Sequence, residues 1–328
     1  MSSIWSRRQF LIGTSSTLVA GCAPSGVSQA PSTPSTPSTP SKPAEAPRKP
    51  ATPAQGLATP ATPAEALLTL DEIEQRVGGR VGVLALDTGT GRLLAHRADE
   101  RFAMCSTFKW VLAAAVLARV DGSQLSLEER VSYQSTDLLE YAPVTRENIA
   151  AGSMTIEALA QAAVTVSDNT AANLLLAKVG GPAGLTQFVR SLDDTVTRLD
   201  RNEPTLNSNA PGDPRDTTSP RAMVSLMRRV LCEDALAPSS RERLLGWLRA
   251  CETGKNRLRA GFPPDWTAGD KTGSGERNAI NDVAIAWPPG RAPILVAAYM
   301  SDGPSEMQAM QAAHADVARV VARELRAL

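Results

Sequence analysis

Met104-Cys105-Ser106-Thr107-Phe108-Lys109, running on through Trp110-Val111-Leu112-Ala113-Ala114-Ala115-Val116-Leu117, decides how this 328-residue chain is read. A helix over about Ser106–Val120, ended by Asp121-Gly122, is apolar on nearly every face and so belongs inside a core. Upstream, residues 66–77 have helical spacing. Arg80–Leu86 and Arg92–His96 flank the turn material Asp87-Thr88-Gly89-Thr90-Gly91 and read as a hairpin. Downstream, helices are expected near 127–131, 155–163, 168–179, 182–191, 219–231 and 239–250, interrupted by a long aperiodic polar stretch at 198–218. Loops of that length usually carry function. Two apolar strands, Asn281–Trp287 and Pro293–Met300, and a helix over 304–328 close the chain. Strands and helices at both ends around a helical middle predict an α/β layer from 66–104 and 250–328, with an inserted all-helical domain at 105–249. The cleft between them is the expected place for a site.

Composition narrows the options. Eleven of the 24 prolines lie in residues 23–65, several at every third position, which fits an extended polyproline II spacer rather than a folded unit. Without residues 1–65, the chain carries 29 basic and 32 acidic side chains. A body so near neutrality, with three Tyr and five Phe in the whole chain, argues against a nucleic-acid surface. Two histidines and four scattered cysteines argue against a structural metal site.

Three short elements carry chemistry. Ser106 and Lys109 are three residues apart, on one helix face, at a helix start whose free N–H groups suit a developing oxyanion. The apolar helix should desolvate Lys109 and lower its pKa, making it a proton acceptor. Ser167-Asp168-Asn169 opens a second helix, and Lys271-Thr272-Gly273, followed by Ser274-Gly275, supplies a cation and hydroxyls suited to a carboxylate. Taken singly, each has an ordinary reading: an N-cap serine with a snorkelling lysine, a good capping triplet, and a turn with an exposed lysine.

Together and in this order, the three elements resemble the serine penicillin-recognising enzymes. The loop Arg198-Leu199-Asp200-Arg201-Asn202-Glu203-Pro204-Thr205-Leu206-Asn207 is similar to the omega loop of class A beta-lactamases. That resemblance implies an antiparallel sheet flanked by helices and hydrolysis of penicillins and cephalosporins without a metal or organic cofactor. It makes Ser106 the nucleophile and Lys109 the lysine one turn on, and leaves open whether Lys109 or Glu203 acting through water takes the first proton. Ser167 relays a proton to the β-lactam nitrogen, and Glu203 with Asn207 holds the hydrolytic water. Asn169 becomes a substrate-amide ligand, Tyr141 an aromatic at the cleft entrance, and Lys271, Thr272 and Ser274 the carboxylate site. The backbone N–H groups of Ser106 and Ser274 form the oxyanion hole, Arg201 and Asp216 pair within the loop, and Glu203–Pro204 is cis. The implied partner is a β-lactam small molecule, met by a monomer.

This chain departs from the family pattern in places. Some relatives have an arginine where this chain has Ile280, and Arg257 matches the position from which others supply that guanidinium. Cys105 matches a cysteine that carbapenem-hydrolysing relatives pair with one at the position of Gly275, so that disulfide cannot form here, and carbapenem turnover is not expected. Cys232 and Cys251 are expected to be free thiols. Two rivals share the acylation chemistry or the cleft: a D-alanyl-D-alanine carboxypeptidase, against which Glu203 argues, and a cell-wall peptide binder without turnover. At the other end of the chain, Arg7-Arg8 before Phe10-Leu11-Ile12 resembles a twin-arginine export signal, and Val19-Ala20-Gly21-Cys22 a lipobox. These imply export to the periplasm and a lipid anchor on Cys22; cleavage elsewhere would release the chain.

Overall fold

The computed structural model describes residues 68–326, all within one compact unit. The expected export segment, Cys22 and the expected proline-rich spacer lie outside the described residues. In chain order the elements are α1 (Leu70–Val77), β1 (Arg80–Asp87), β2 (Leu93–His96), β3 (Phe102–Ala103), α2 (Phe108–Asp121), β4 (Arg130–Ser132), α3 (Pro143–Glu147), β5 (Ser153–Thr155) and α4 (Ile156–Thr165). There follow α5 (Asn169–Lys178), α6 (Gly181–Ser191), β6 (Thr217–Thr218), α7 (Pro220–Met227), α8 (Pro238–Arg249), α9 (Leu258–Gly261), β7 (Thr267–Gly275), β8 (Ala279–Trp287), β9 (Ile294–Ser301) and α10 (Met307–Arg326).

Strands from both chain ends build one antiparallel sheet in the order β2-β1-β9-β8-β7. Successive side chains of a strand point to opposite faces, and here both faces are buried. Val81, Val83 and Ala85 join Ile73 of α1 and Val317 and Val321 of α10 in one apolar cluster. Leu84 and Leu86 join Val283, Tyr299 and nearly all of α2 in the other. β1 is therefore buried on both faces, where the alternation of Val81, Val83 and Ala85 alone reads as a half-buried strand. As its composition predicts, α2 is buried along most of its length, and Lys109 is buried with it. The sheet ends in β7, so the Lys271-Thr272-Gly273 strand is an edge whose pairing partner lies on one side only.

Two expectations need correction. The helix expected near 127–131 is replaced by β4, which pairs with β5 as a two-stranded ladder. Only Val131 and Met154, opposite one another, turn inward there, and three residues with one buried side chain are too short for a helix to bury a stripe. Residues 105–249 are therefore not all-helical, since they hold this ladder and also β6, which pairs with β3. The last strands begin and end within two residues of their predicted bounds. Cys105, Cys232 and Cys251 are free. Among the described residues, no helix is long and apolar enough to cross a membrane.

Candidate active site

Three segments meet over the head of α2. The first is the single 3₁₀ turn Cys105–Thr107 that leads into it. Cys105 has φ +46° and Ser167, before α5, φ +63°. Left-handed backbone costs a non-glycine residue roughly 1–2 kcal/mol, and in both places it turns the chain so that a serine faces the same cleft. The third segment is β7, which passes so close to the turn that a Cβ on Gly273 would lie 2.7 Å from the Met104 carbonyl and 3.1 Å from the Ser106 nitrogen. Only glycine permits that approach. Asn281, across from Gly273 on β8, donates to the carbonyls of Ala103 and Met104 and ties the same turn to the sheet.

The cleft has a volume of about 350 Å³ and is lined by Ser106, Tyr141, Ser167, Asn169, Asn207, Arg257, Thr272 and Ser274, together with Thr253 and Gly273. Lys109, Glu203 and Lys271 are buried and bonded to the lining serines. Ser106 Oγ donates to Glu203 Oε1 at 3.0 Å. Lys109 Nζ lies 3.0 Å from the same oxygen and donates to the Ser167 carbonyl at 2.8 Å, to Ser167 Oγ at 3.2 Å and to Asn169 Oδ1. That last contact leaves the Asn169 NH₂ group as the end able to donate elsewhere. Lys271 Nζ reaches Ser167 Oγ from the other side at 3.1 Å. Ser167 thus stands between two buried amines.

Electrostatics follow from burial. Desolvation pushes the Lys109 amine below the usual lysine range, and the Glu203 carboxylate opposes the shift. Lys271 is pushed down to about 8, again by burial, with Lys109 adding to the shift by like-charge repulsion. Arg257, only 5 % exposed, donates to the carbonyls of Gly273 and Asn281 and to Ser274 Oγ at 2.8 Å. Its guanidinium therefore lies beside the hydroxyls of β7, the position expected of it. Ile280 is buried in the core. Tyr141, 52 % exposed, stands at the rim, and its carbonyl accepts from Asn169 N–H. Gly275 lies directly against the Cys105 thiol, which burial pushes up to about 12, so the thiol stays protonated.

The polar loop is held at several points. Asp216 pairs with Arg201, and its Oδ1 accepts from the backbone N–H groups of Asp200 and Arg201. Its carbonyl accepts from Met104 N–H, which joins the end of the loop to the approach to Ser106. Glu203–Pro204 is cis. Asn207 Nδ2 donates to Glu203 Oε2 at 2.6 Å, and Asn173 of α5 bonds both the N–H and the carbonyl of Glu203. Asn173 carried no role in the sequence reading. Its signal was an isolated amide on a helix otherwise rich in Ala and Leu, one turn after Asn169. Thr253, in a turn before Arg257, gave no signal.

Larger depressions elsewhere, one between Arg80 and Asp213 and one around Arg221 and Glu233, contain mainly arginine–carboxylate pairs and no nucleophile beside a base.

Comparison with known proteins agrees with this arrangement. Residues 65–325 match the model of the Beta-lactamase enzyme family. The chain is 47 % identical over 250 residues to Beta-lactamase AST-1 of Nocardia asteroides, covering 76 % of this chain and 80 % of that protein. It is 48 % identical over 229 residues to the carbapenem-hydrolyzing beta-lactamase KPC of Klebsiella oxytoca, covering 70 % and 78 %. It is also similar to the solved structure of a class A beta-lactamase representing the last common ancestor of Gram-negative bacteria. There the TM-score is 0.77 at 56 % identity, covering 78 % of this chain and 97 % of that one.

Replacing Asp216 with Ala should remove an acceptor used by a guanidinium and two backbone N–H groups. We expect a loss of about 1.5–3 kcal/mol of unfolding free energy in urea titration, with faster amide exchange concentrated in residues 200–208. Unchanged exchange there would contradict the clamp.

Proposed function

The chain belongs to the class A serine beta-lactamases and is a beta-lactam hydrolase, and we propose that it opens penicillins and cephalosporins through an acyl-enzyme on Ser106. The observation that carries this reading is the carboxylate of Glu203, held by Asn207 on one oxygen and set against the Ser106 hydroxyl and the Lys109 amine on the other.

In this reading Ser106 Oγ attacks the β-lactam carbonyl and loses its proton to the hydrogen-bonded Lys109–Glu203 pair. Backbone N–H groups of Ser106 and Ser274 receive the oxyanion, a term usually worth several kcal/mol in acyl transfer. When the C–N bond breaks, Ser167 Oγ gives its proton to the departing nitrogen and takes the one lost by Ser106 back from Lys109 Nζ, 3.2 Å away, so the Lys109–Glu203 pair returns to its starting charge. Acylation leaves Ser106 Oγ an ester oxygen that cannot donate, so its contact with Glu203 is lost. The carboxylate, still anchored by Asn207 and Asn173, then takes a proton from the water that attacks the ester and passes it to Ser106 Oγ as the acyl bond breaks, which frees the serine. A transpeptidase without a carboxylate so placed stays acylated. Lys271, Thr272, Ser274 and Arg257 hold the substrate carboxylate, Asn169 its side-chain amide, and Tyr141 flanks the entrance. The pairing of Cys105 with Gly275 supports penicillin and cephalosporin turnover without efficient carbapenem hydrolysis. Export, with a lipid on Cys22, completes the proposal, because the targets of β-lactams lie outside the cytoplasm.

Glu203→Ala should still acylate, with Lys109 left as the proton acceptor, but fail to deacylate, giving one stoichiometric burst with a chromogenic cephalosporin; sustained turnover would overturn the role given to Glu203. As pH rises through about 8, Lys271 loses its proton and with it the attraction for a substrate carboxylate, so kcat/KM for a penicillin should fall there. A profile flat well beyond that point would contradict this. Mass spectrometry of the mature N-terminus should find a diacylated or triacylated Cys22, and an unmodified terminus elsewhere would reject the anchor.

A further inference from the structure

Thr253 lies in the turn between α8 and α9, and its side chain lines the cleft beside Thr272 and Arg257. Its Oγ1 is 2.6 Å from Thr272 Oγ1 and 3.3 Å from the thiol of Cys251, which is 1 % exposed. The turn is pinned beneath: a Cβ on Gly254 would fall 1.5 Å from Asp270 Oδ2, so glycine alone lets the chain settle on that buried carboxyl. The same turn closes with Arg257 N–H on the Gly254 carbonyl, which fixes Thr253 and Arg257 relative to one another.

Donor accounting gives Thr253 a task. A hydroxyl has one proton and two lone pairs, so of the two protons in the Thr253–Thr272 pair only one can lie between the oxygens. If Thr272 spends its own proton on Thr253, it has none to offer an anion in the cleft. If Thr253 spends its proton on Thr272, the Thr272 proton is free to point into the cleft. The other neighbour of Thr253 Oγ1 is the Cys251 sulfur, held protonated because burial raises its pKa, and it is the weaker acceptor of the two. That favours the second direction, since oxygen is a better acceptor for the Thr253 proton than sulfur.

We propose that Thr253 is a positioning residue for the substrate carboxylate, its hydroxyl donating to Thr272 Oγ1 so that the Thr272 proton is committed to the bound anion. This rests on the β-lactamase reading of the site and names a residue that sets the polarity of its carboxylate end. It predicts a binding effect confined to substrates that carry the anion.

The test uses the parent enzyme, Thr253→Val, which keeps the shape but loses the hydroxyl, and Thr253→Ser, which keeps the hydroxyl. Each is assayed on a penicillin and on the methyl ester of that penicillin. For the acid, Thr253→Val should raise KM about two- to tenfold with kcat nearly unchanged, and Thr253→Ser should restore it. For the ester, parent and Thr253→Val should differ little. An unchanged KM for the acid, or an equal loss on acid and ester, would overturn the proposal. Should Thr253→Val not fold, judged by circular dichroism, Thr253→Ala is read by the same comparison. A parent enzyme that turns over neither compound would instead defeat the β-lactamase reading itself.

Discussion

A lysine without solvent exposure, inside the most apolar helix of the molecule, constrains everything around it. Lys109 cannot sit there uncompensated, because removing an ammonium from water costs several kcal/mol even after relaxation. Its compensation comes from a carboxylate, a carbonyl, a hydroxyl and an amide oxygen drawn from two other segments: Glu203, Ser167 and Asn169. Satisfying one buried amine therefore forces the polar loop and the head of α5 to converge on the head of α2, where Ser106 stands. The same contacts that make the burial tolerable bring Ser106, Ser167 and the Glu203 carboxylate together.

The second buried amine extends this logic to the sheet. Lys271 reaches Ser167 from β7, and the close approach of Gly273 brings the strand against the Ser106 turn. Both amines are desolvated and neighbouring ammonium groups repel, which pushes Lys271 down to about 8. Such a site is poised for an arriving anion, which would supply the countercharge it lacks. Arg257 adds a planar donor at the same end, bonded to carbonyls of two strands and to the Ser274 hydroxyl.

Much of this was legible in the sequence because its signals were local. The apolar run 110–117 announced a buried helix, and strands 281–287 and 293–300 announced a core sheet. Ser106 with Lys109, the 167–169 triplet and the 271–274 stretch each carry their residues at fixed spacing. Arg257 could be named because its position matches one from which relatives supply a guanidinium. What escaped was set by distant contacts. The β4–β5 ladder depends on one opposed pair, Val131 and Met154, too little pattern to distinguish from a helical turn. Asn173 and Asn281 act by bonding backbone far away in the chain, and Thr253 acquires its place only because Gly254 fits over Asp270. No window of sequence displays such pairings.

The central claim is that Ser106 is acylated and then released by the carboxylate packed against it. Intact-protein mass spectrometry of the enzyme quenched at short intervals after mixing with excess penicillin, with peptide mapping of any adduct, tests this directly. The account predicts an adduct with the full mass of the penicillin on Ser106 that decays to the unmodified protein as substrate is exhausted. Turnover with no adduct, an adduct on another residue, or an adduct that outlasts the substrate would contradict it.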